Sequence, residues 1–225
     1  KFGSSIKVRL RHIQRWFTGF QHDSLELNRI GKSWKQSQKP LETGVYGESF
    51  VIGEMWIMTY TLDTLIEDCR ATLKEGESEK TLVSVCDHVK RALADPTFLE
   101  QTILNRPKDP ERQVLYEDSD LGFCICAHVY EGEKSGDPHD HGPTWAIYGQ
   151  AEGETEMTDW RILRPATDDS PAKVELVRRY NMVPGDAHIY PTGAVHAPLR
   201  RGPTRLLRIE GRNTDKITRT PIEAV

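Results

Sequence analysis

The chain has 225 residues, 37% of them apolar and 28% charged, enough to bury a core in one or two domains and too apolar for wholesale disorder. Apolar runs of only a few residues exclude a membrane-spanning helix, and four cysteines (Cys69, Cys86, Cys124, Cys126) are too sparse for a disulfide scaffold and lack zinc-knuckle spacing. The net charge of −4 divides into +4 over residues 1–57 (9 Lys+Arg against 5 Asp+Glu) and −8 over residues 58–225 (21 against 29), and an acidic body argues against nucleic acid as the main partner.

Residues 1–57 alternate like a strand at Ile6–Arg11 and hold three of the five tryptophans (Trp16, Trp34, Trp56), yet they show no sustained period. They read as a basic extension rather than a folded domain. A natural start at Met58 is the simplest account, and an arm that docks on the body or on another subunit is the alternative. The sequence as given opens with no apolar signal-peptide core, so the expectation is a cytoplasmic protein with reduced thiols.

Residues 58–225 read as one domain with helices over 58–105 and a β-barrel over 112–220. Leu62, Leu65, Ile66, Cys69 and Leu73 share a helical face from about Leu62 to Lys74, with Thr61 as N-cap and Gly76 at the exit. Leu82, Val85, Cys86, Val89 and Leu93 do the same from about Glu79, capped by Ser78 and ended by Asp95-Pro96. Phe98, Leu99, Ile103 and Leu104 suggest a short third helix. From Gln113 the period becomes that of strands, at 113–117, 121–130, 144–151, 154–163, 173–180, 186–191 and 203–210, divided by Gly, Pro and Asp turns. Many short, evenly spaced strands predict a mainly β sandwich or barrel behind two or three α-helices.

The chemistry concentrates in two segments. In Pro138-His139-Asp140-His141-Gly142, an extended backbone would turn His139 and His141 to the same side, and imidazole is the commonest ligand of transition metals. In Gly185 to His196, a glycine turn, a strand and a Pro191-Thr192-Gly193 turn lead to a third histidine. Elsewhere the bland reading holds: Cys124, Cys126 and His128 share a strand face as core packing, and Glu152, Glu154 and Glu156 form a solvated face.

Together these segments resemble the two motifs of the cupins. Gly132 or Gly136, His139, His141 and Gly153 match the first, and Gly185, Pro191, Gly193 and His196 match the second. The resemblance implies a double-stranded β-helix, or jelly roll, that brings both segments to one metal. Two positions depart from the pattern: Ala146 stands where most cupins supply a glutamate ligand, and Arg200 stands where an asparagine is common. Three histidines without a carboxylate suggest Fe(II), while Zn, Ni, Cu and Mn stay open because donor type constrains the metal loosely.

The lost glutamate and the preceding helices are similar to the cysteine dioxygenase-like branch, including bacterial thiol dioxygenases. That likeness implies an O2-dependent dioxygenase acting on a small molecule such as a thiol carboxylate, with pairing into homodimers left open. It implies Arg112 as the holder of a substrate carboxylate, with a surface arginine as the alternative. Trp145 and Tyr148 become candidates to line the cavity. The branch's late Ser–His–Tyr relay is missing. Arg208 and Glu210 face one side of the comparable strand, where an ion pair could replace it, with His188 and Tyr190 behind the ligands or in the pocket. The competing readings are a non-catalytic cupin that binds a metal or small ligand, and a cupin isomerase, lyase or hydrolase using Zn, Ni or Mn.

Overall fold

The computed structural model describes residues 59–225. The reading of residues 1–57 as an extension lies outside the described residues, as do Met58 and the strand-like stretch at Ile6–Arg11.

Helix α1 (Leu62–Leu73) starts where Thr61 accepts a hydrogen bond from the Thr64 amide at 3.1 Å. Helix α2 (Glu79–Ala94) starts in a reciprocal cap between Ser78 and Thr81, which satisfies amides that the helix itself cannot. Asp95 ends it and caps the next turn, α3 (Pro96–Leu99), by accepting from the amides of Thr97 and Phe98. A wider helical turn, Glu100–Leu104, follows.

Ten strands come next: β1 (Arg112–Glu117), β2 (Cys124–Tyr130), β3 (Lys134–Ser135), β4 (Ala146–Glu152), β5 (Thr155–Arg164), β6 (Ala172–Met182), β7 (Ala187–Tyr190), β8 (Val195–Arg200), β9 (Thr204–Glu210) and β10 (Ile222–Ala224). They form two five-stranded sheets, β1-β2-β9-β4-β7 and β10-β6-β5-β8-β3, antiparallel except where β10 runs parallel to β6. The consecutive pairs β7 and β8, and β4 and β5, are split between the sheets, as a jelly roll requires. The mainly β double-stranded β-helix behind short helices is therefore the observed fold.

The first sheet is buried on both faces, and the alternation along its strands separates two cores. Ile125, Ala127, Ile147, Leu207 and Ile209 point outward and pack with Leu65, Val85, Val89 and Phe98 of the helices. Contact is close enough that a Cβ on Gly149 would lie 2.6 Å from Val89 Cγ1 and 3.0 Å from Leu93 Cδ1, so β4 needs glycine where α2 crosses it. The inner face meets the second sheet through Ala146, Tyr148, Met157, Met182 and Tyr190. Apart from Leu206, most of the rest of that inner face is polar.

Two sequence expectations change here. The strand carrying His196 is β8, which was not foreseen, because Pro198 within Val195–Arg200 argues against a sheet interior. The first two histidines lie in no strand. His139 makes an isolated bridge, and His141 lies in the loop between β3 and β4, where Pro138, Gly142 and Pro143 interrupt extension. Four cysteines are buried and free. No helix among the described residues is long and apolar enough to cross a membrane.

Candidate metal centre

The two histidine segments meet through their backbones. The His139 amide donates to the His196 carbonyl and the His196 amide to the His139 carbonyl, each at 3.0 Å. This places the rings of His139 and His196 4.7 Å apart and those of His141 and His196 4.8 Å apart. One nitrogen from each of the three rings lies within 4.8 Å of the other two, a grouping that could hold a metal ion.

The imidazoles are in the form a metal needs. Burial lowers His139 to about 4, and it pushes His141 and His196 further below their ordinary range, where Arg208 and the neighbouring histidines add to the effect. They are therefore neutral at pH 7 and can offer a lone pair. His139 Nδ1 donates to the Asp137 carbonyl at 2.8 Å, which leaves its Nε2 as the donor atom toward the site. The Nε2 atoms of His141 and His196 both face the Tyr148 hydroxyl, at 2.9 and 3.3 Å. A phenol has one proton, so it can donate to only one of them. Its oxygen can accept from the other, so Tyr148 can serve both rings, and the case for a metal rests on the grouping of the three histidines itself.

The loop that carries the ligands is strapped down. Asp140 Oδ1 accepts from the amides of Gly142 at 2.9 Å and Thr220 at 3.1 Å, which ties the C-terminal segment across the histidine loop. Gly142 has φ +61°, and a Cβ there would lie 2.7 Å from both Ile217 Cγ2 and the Thr218 carbonyl oxygen.

Register places the remaining polar residues. Across the inner face of the first sheet, Cys124, Glu210, Ala146 and Tyr190 form one row, and Cys126, Arg208, Tyr148 and His188 form the next. Ala146, at the position of the lost glutamate, is fully buried and brings no donor. Glu210 is fully buried and saturated. It accepts from Arg112 at 2.8 Å, from the Thr214 amide at 3.1 Å and from the Thr214 hydroxyl at 2.9 Å. Burial would raise its pKa, but the charge of Arg208 and the hydrogen bond and charge of Arg112 hold it at about 2. Cys124 and Cys126, with sulfurs 3.7 Å apart, lie against this carboxylate, and the Cys124 thiol is pushed well above its ordinary range.

The substrate residues expected from the sequence are placed differently from one another. Tyr148 lines a cavity of about 330 Å³ that His139 also lines. Trp145 does not face the barrel interior. It sits among Phe123, Ile147 and Ile209 in the core beneath the helices, because odd-numbered positions along this stretch point outward. Arg112 lines the cavity, but its guanidinium is taken by Glu210, by Asn213 at 2.9 Å and by Asp215. In this arrangement it presents no open fork to a substrate carboxylate. His188 is half-buried with its ring stacked 4.7 Å from Tyr180, and Tyr190 stacks on His196 at 4.0 Å. Arg208 and Glu210 form an ion pair at 2.9 Å in which Nε is not directed at the carboxylate.

The sequence reading missed Arg200 as a cavity residue, although its place four residues after His196, on the same face of β8, was the available signal. It also missed His128 and Tyr130, which line the cavity and bond to each other at 3.0 Å.

Fold and centre together define a double-stranded β-helix with a candidate three-histidine metal site. Its structural neighbours include cupin superfamily proteins. They include a cupin superfamily protein from Desulfitobacterium hafniense (17% identity over 50% of this chain and 76% of that one, TM-score 0.32) and KdgF from Halomonas sp. (14%, 51% and 96%, TM-score 0.36). A protein with a double-stranded β-helix domain from Klebsiella pneumoniae is similar too (16%, 52% and 84%, TM-score 0.36). These likenesses say nothing of activity. No protein-family model matches the chain, and neither does any curated protein.

Proposed function

We propose that this chain is a metal-dependent dioxygenase that oxidises a small polar molecule, such as a thiol carboxylate, at a mononuclear centre held by His139, His141 and His196. The observation that carries the reading is the convergence of three neutral, carboxylate-free imidazoles beside a cavity of small-molecule size. Fe(II) is the metal this role calls for, and when bound it would supply a redox centre for O2 activation.

The chain's own residues account for the rest. The Asp137 carbonyl and the Asp140 strap fix the ligand rings before any metal arrives. Tyr148 places a hydroxyl beside two of the ligand nitrogens, and its ring is held under the Arg208 guanidinium at 4.5 Å. Two sheets and the helical layer exclude bulk water from the interior, which strengthens every electrostatic contact inside.

Metal analysis of the purified chain, then anaerobic loading with Fe(II) and O2 uptake with small thiols and carboxylic acids, tests the proposal. Oxygen consumption dependent on iron and substrate is the expected result. Stoichiometric zinc with no oxygen consumption would overturn it and favour a lyase, isomerase or hydrolase.

A further inference from the structure

The body of this protein is acidic, yet its cavity is cationic. Five cationic side chains and two carboxylates line it. Both carboxylates are engaged, Glu111 by Lys134 and Asp215 by Arg112. The nearby Glu210 accepts from Arg112 and Thr214, and Arg208 lies 2.9 Å from it without directing a hydrogen bond at it. Of the three remaining guanidiniums, Arg219 is exposed, whereas Arg200 and Arg208 are buried. Arg200 is 5% exposed and Arg208 is 7% exposed. Among the described residues, Arg200 Nε has no hydrogen-bond partner, and neither do Nε and one terminal nitrogen of Arg208; Arg112 also leaves its Nε unpartnered, but both of its terminal nitrogens are taken.

A buried donor left unsatisfied costs on the order of 1–3 kcal/mol, and more when it is charged, so such an arrangement calls for a partner. Both guanidiniums are seated on aromatic faces, Arg200 over Tyr130 at 4.2 Å and Arg208 over Tyr148 at 4.5 Å. That seating holds the charge in place but leaves the in-plane N–H groups unused. Arg208 lies beside Tyr148, whose hydroxyl faces two ligand nitrogens, and Arg200 follows His196 on one face of β8.

We propose that Arg208 and Arg200 form an anion-binding subsite of this cavity, and that its ligand is a small carboxylate whose other end reaches toward His139 and Tyr148. The inference rests on the reading of the cavity as the substrate site and narrows the substrate to an organic anion. It also moves carboxylate recognition away from Arg112, whose fork is filled by the protein's own acids. Two cations facing one carboxylate supply paired hydrogen bonds and the missing counter-charge together.

Calorimetric titration of the full chain, metal-free and zinc-loaded, with malonate and with its uncharged analogue malonamide tests this. Malonate should bind saturably at one site and malonamide should not. Arg208→Met and Arg200→Met should each weaken malonate binding by roughly 10- to 100-fold, the loss of a charged hydrogen bond. Arg112→Met should change it by less than about threefold, because that guanidinium already serves Glu210. Thermal unfolding without malonate is the control. Arg200→Met leaves no carboxylate unpaired and should unfold no lower than the wild type, whereas Arg208→Met also removes a cation beside Glu210. Arg208→Lys, which keeps that charge without the fork, should therefore weaken malonate binding while its unfolding temperature stays close to the wild type.

Failure of malonate to saturate, equal binding of malonamide, or undiminished binding in both variants would overturn the subsite. Because the titration is also run without metal, it is independent of iron chemistry. Absent oxygen uptake with intact, arginine-dependent malonate binding would sink the dioxygenase reading and leave the subsite standing.

Discussion

His139 and His196, 57 positions apart in sequence, exchange two backbone hydrogen bonds of 3.0 Å, so the centre is assembled by main chain rather than by its ligands. Side-chain removal should therefore spare the fold and abolish the metal site. His139→Ala, His141→Ala and His196→Ala should each lose metal affinity by more than the roughly 10- to 100-fold that follows removal of an outer hydrogen-bond partner. Metal content after gel filtration against a chelator measures this. Full occupancy in all three variants would place the metal elsewhere.

Arg112 is expected to act through stability. It bridges Glu210, Asn213 and Asp215, which joins the start of β1 to the end of β9 and the turn beyond it. Arg112→Met removes one partner of a buried pair, a change that costs about 3–5 kcal/mol when the remaining charge is stranded. Glu210 keeps Arg208 and Thr214, so the cost should fall nearer 2 kcal/mol. Denaturant unfolding should show it. An unchanged midpoint together with a raised KM for a carboxylate substrate would restore the substrate-holding role implied by resemblance.

Gly142 is the pivot of the ligand loop. Its φ of +61° alone costs an L-residue on the order of 1–2 kcal/mol. An alanine would add a Cβ 2.7 Å from the Thr218 carbonyl oxygen, so the strap must also shift. Gly142→Ala should lower the unfolding temperature and loosen metal retention together. If the unfolding temperature falls while metal affinity stays at the wild-type value, the strap supports the fold without positioning His141.

How much of this was legible in the sequence depends on what each residue answers to. Thr61, Ser78 and Asp95 cap helices through neighbours three residues away or nearer, and their positions follow from the sequence. The spacing of the three histidines and the glycines around them carries the metal site for the same reason: it is a local pattern. Strand β8 was hidden because Pro198 is read as a breaker, whereas here its carbonyl accepts from the Gly136 amide and its ring faces the cavity. Trp145 and Tyr148 looked equivalent because a three-residue offset in a strand puts them on opposite faces, and the register was not yet fixed. The expectation that Arg112 holds a substrate carboxylate had no local residue to correct it. The acids that claim Arg112 arrive from residues 210–215, about a hundred positions later.

The acid limit of the fold follows from the same buried histidines. In the unfolded chain each imidazole takes up a proton near pH 6.5, but in the folded protein burial delays this to about 4 at His139 and further at His141 and His196. Between these limits the unfolded state binds more protons, so stability is full above pH 6.5 and is lost as pH falls below it. Each such histidine contributes a slope of about 1.4 kcal/mol per pH unit, or about 4 kcal/mol for the three together. Glu210 works in a separate window. Its carboxyl is held at about 2 against an ordinary 4.5, so its contribution is intact above 4.5 and lost only as pH approaches 2. Urea unfolding of the metal-free chain from pH 7.5 to 5 should therefore report the histidines and not the carboxylate. The midpoint should fall steadily below 6.5, and the slope should flatten in the His139→Ala/His196→Ala double variant. A bound metal, which holds the imidazoles unprotonated, should move the whole decline to lower pH. An equal slope with and without these histidines would mean that the acid sensitivity arises elsewhere in the chain.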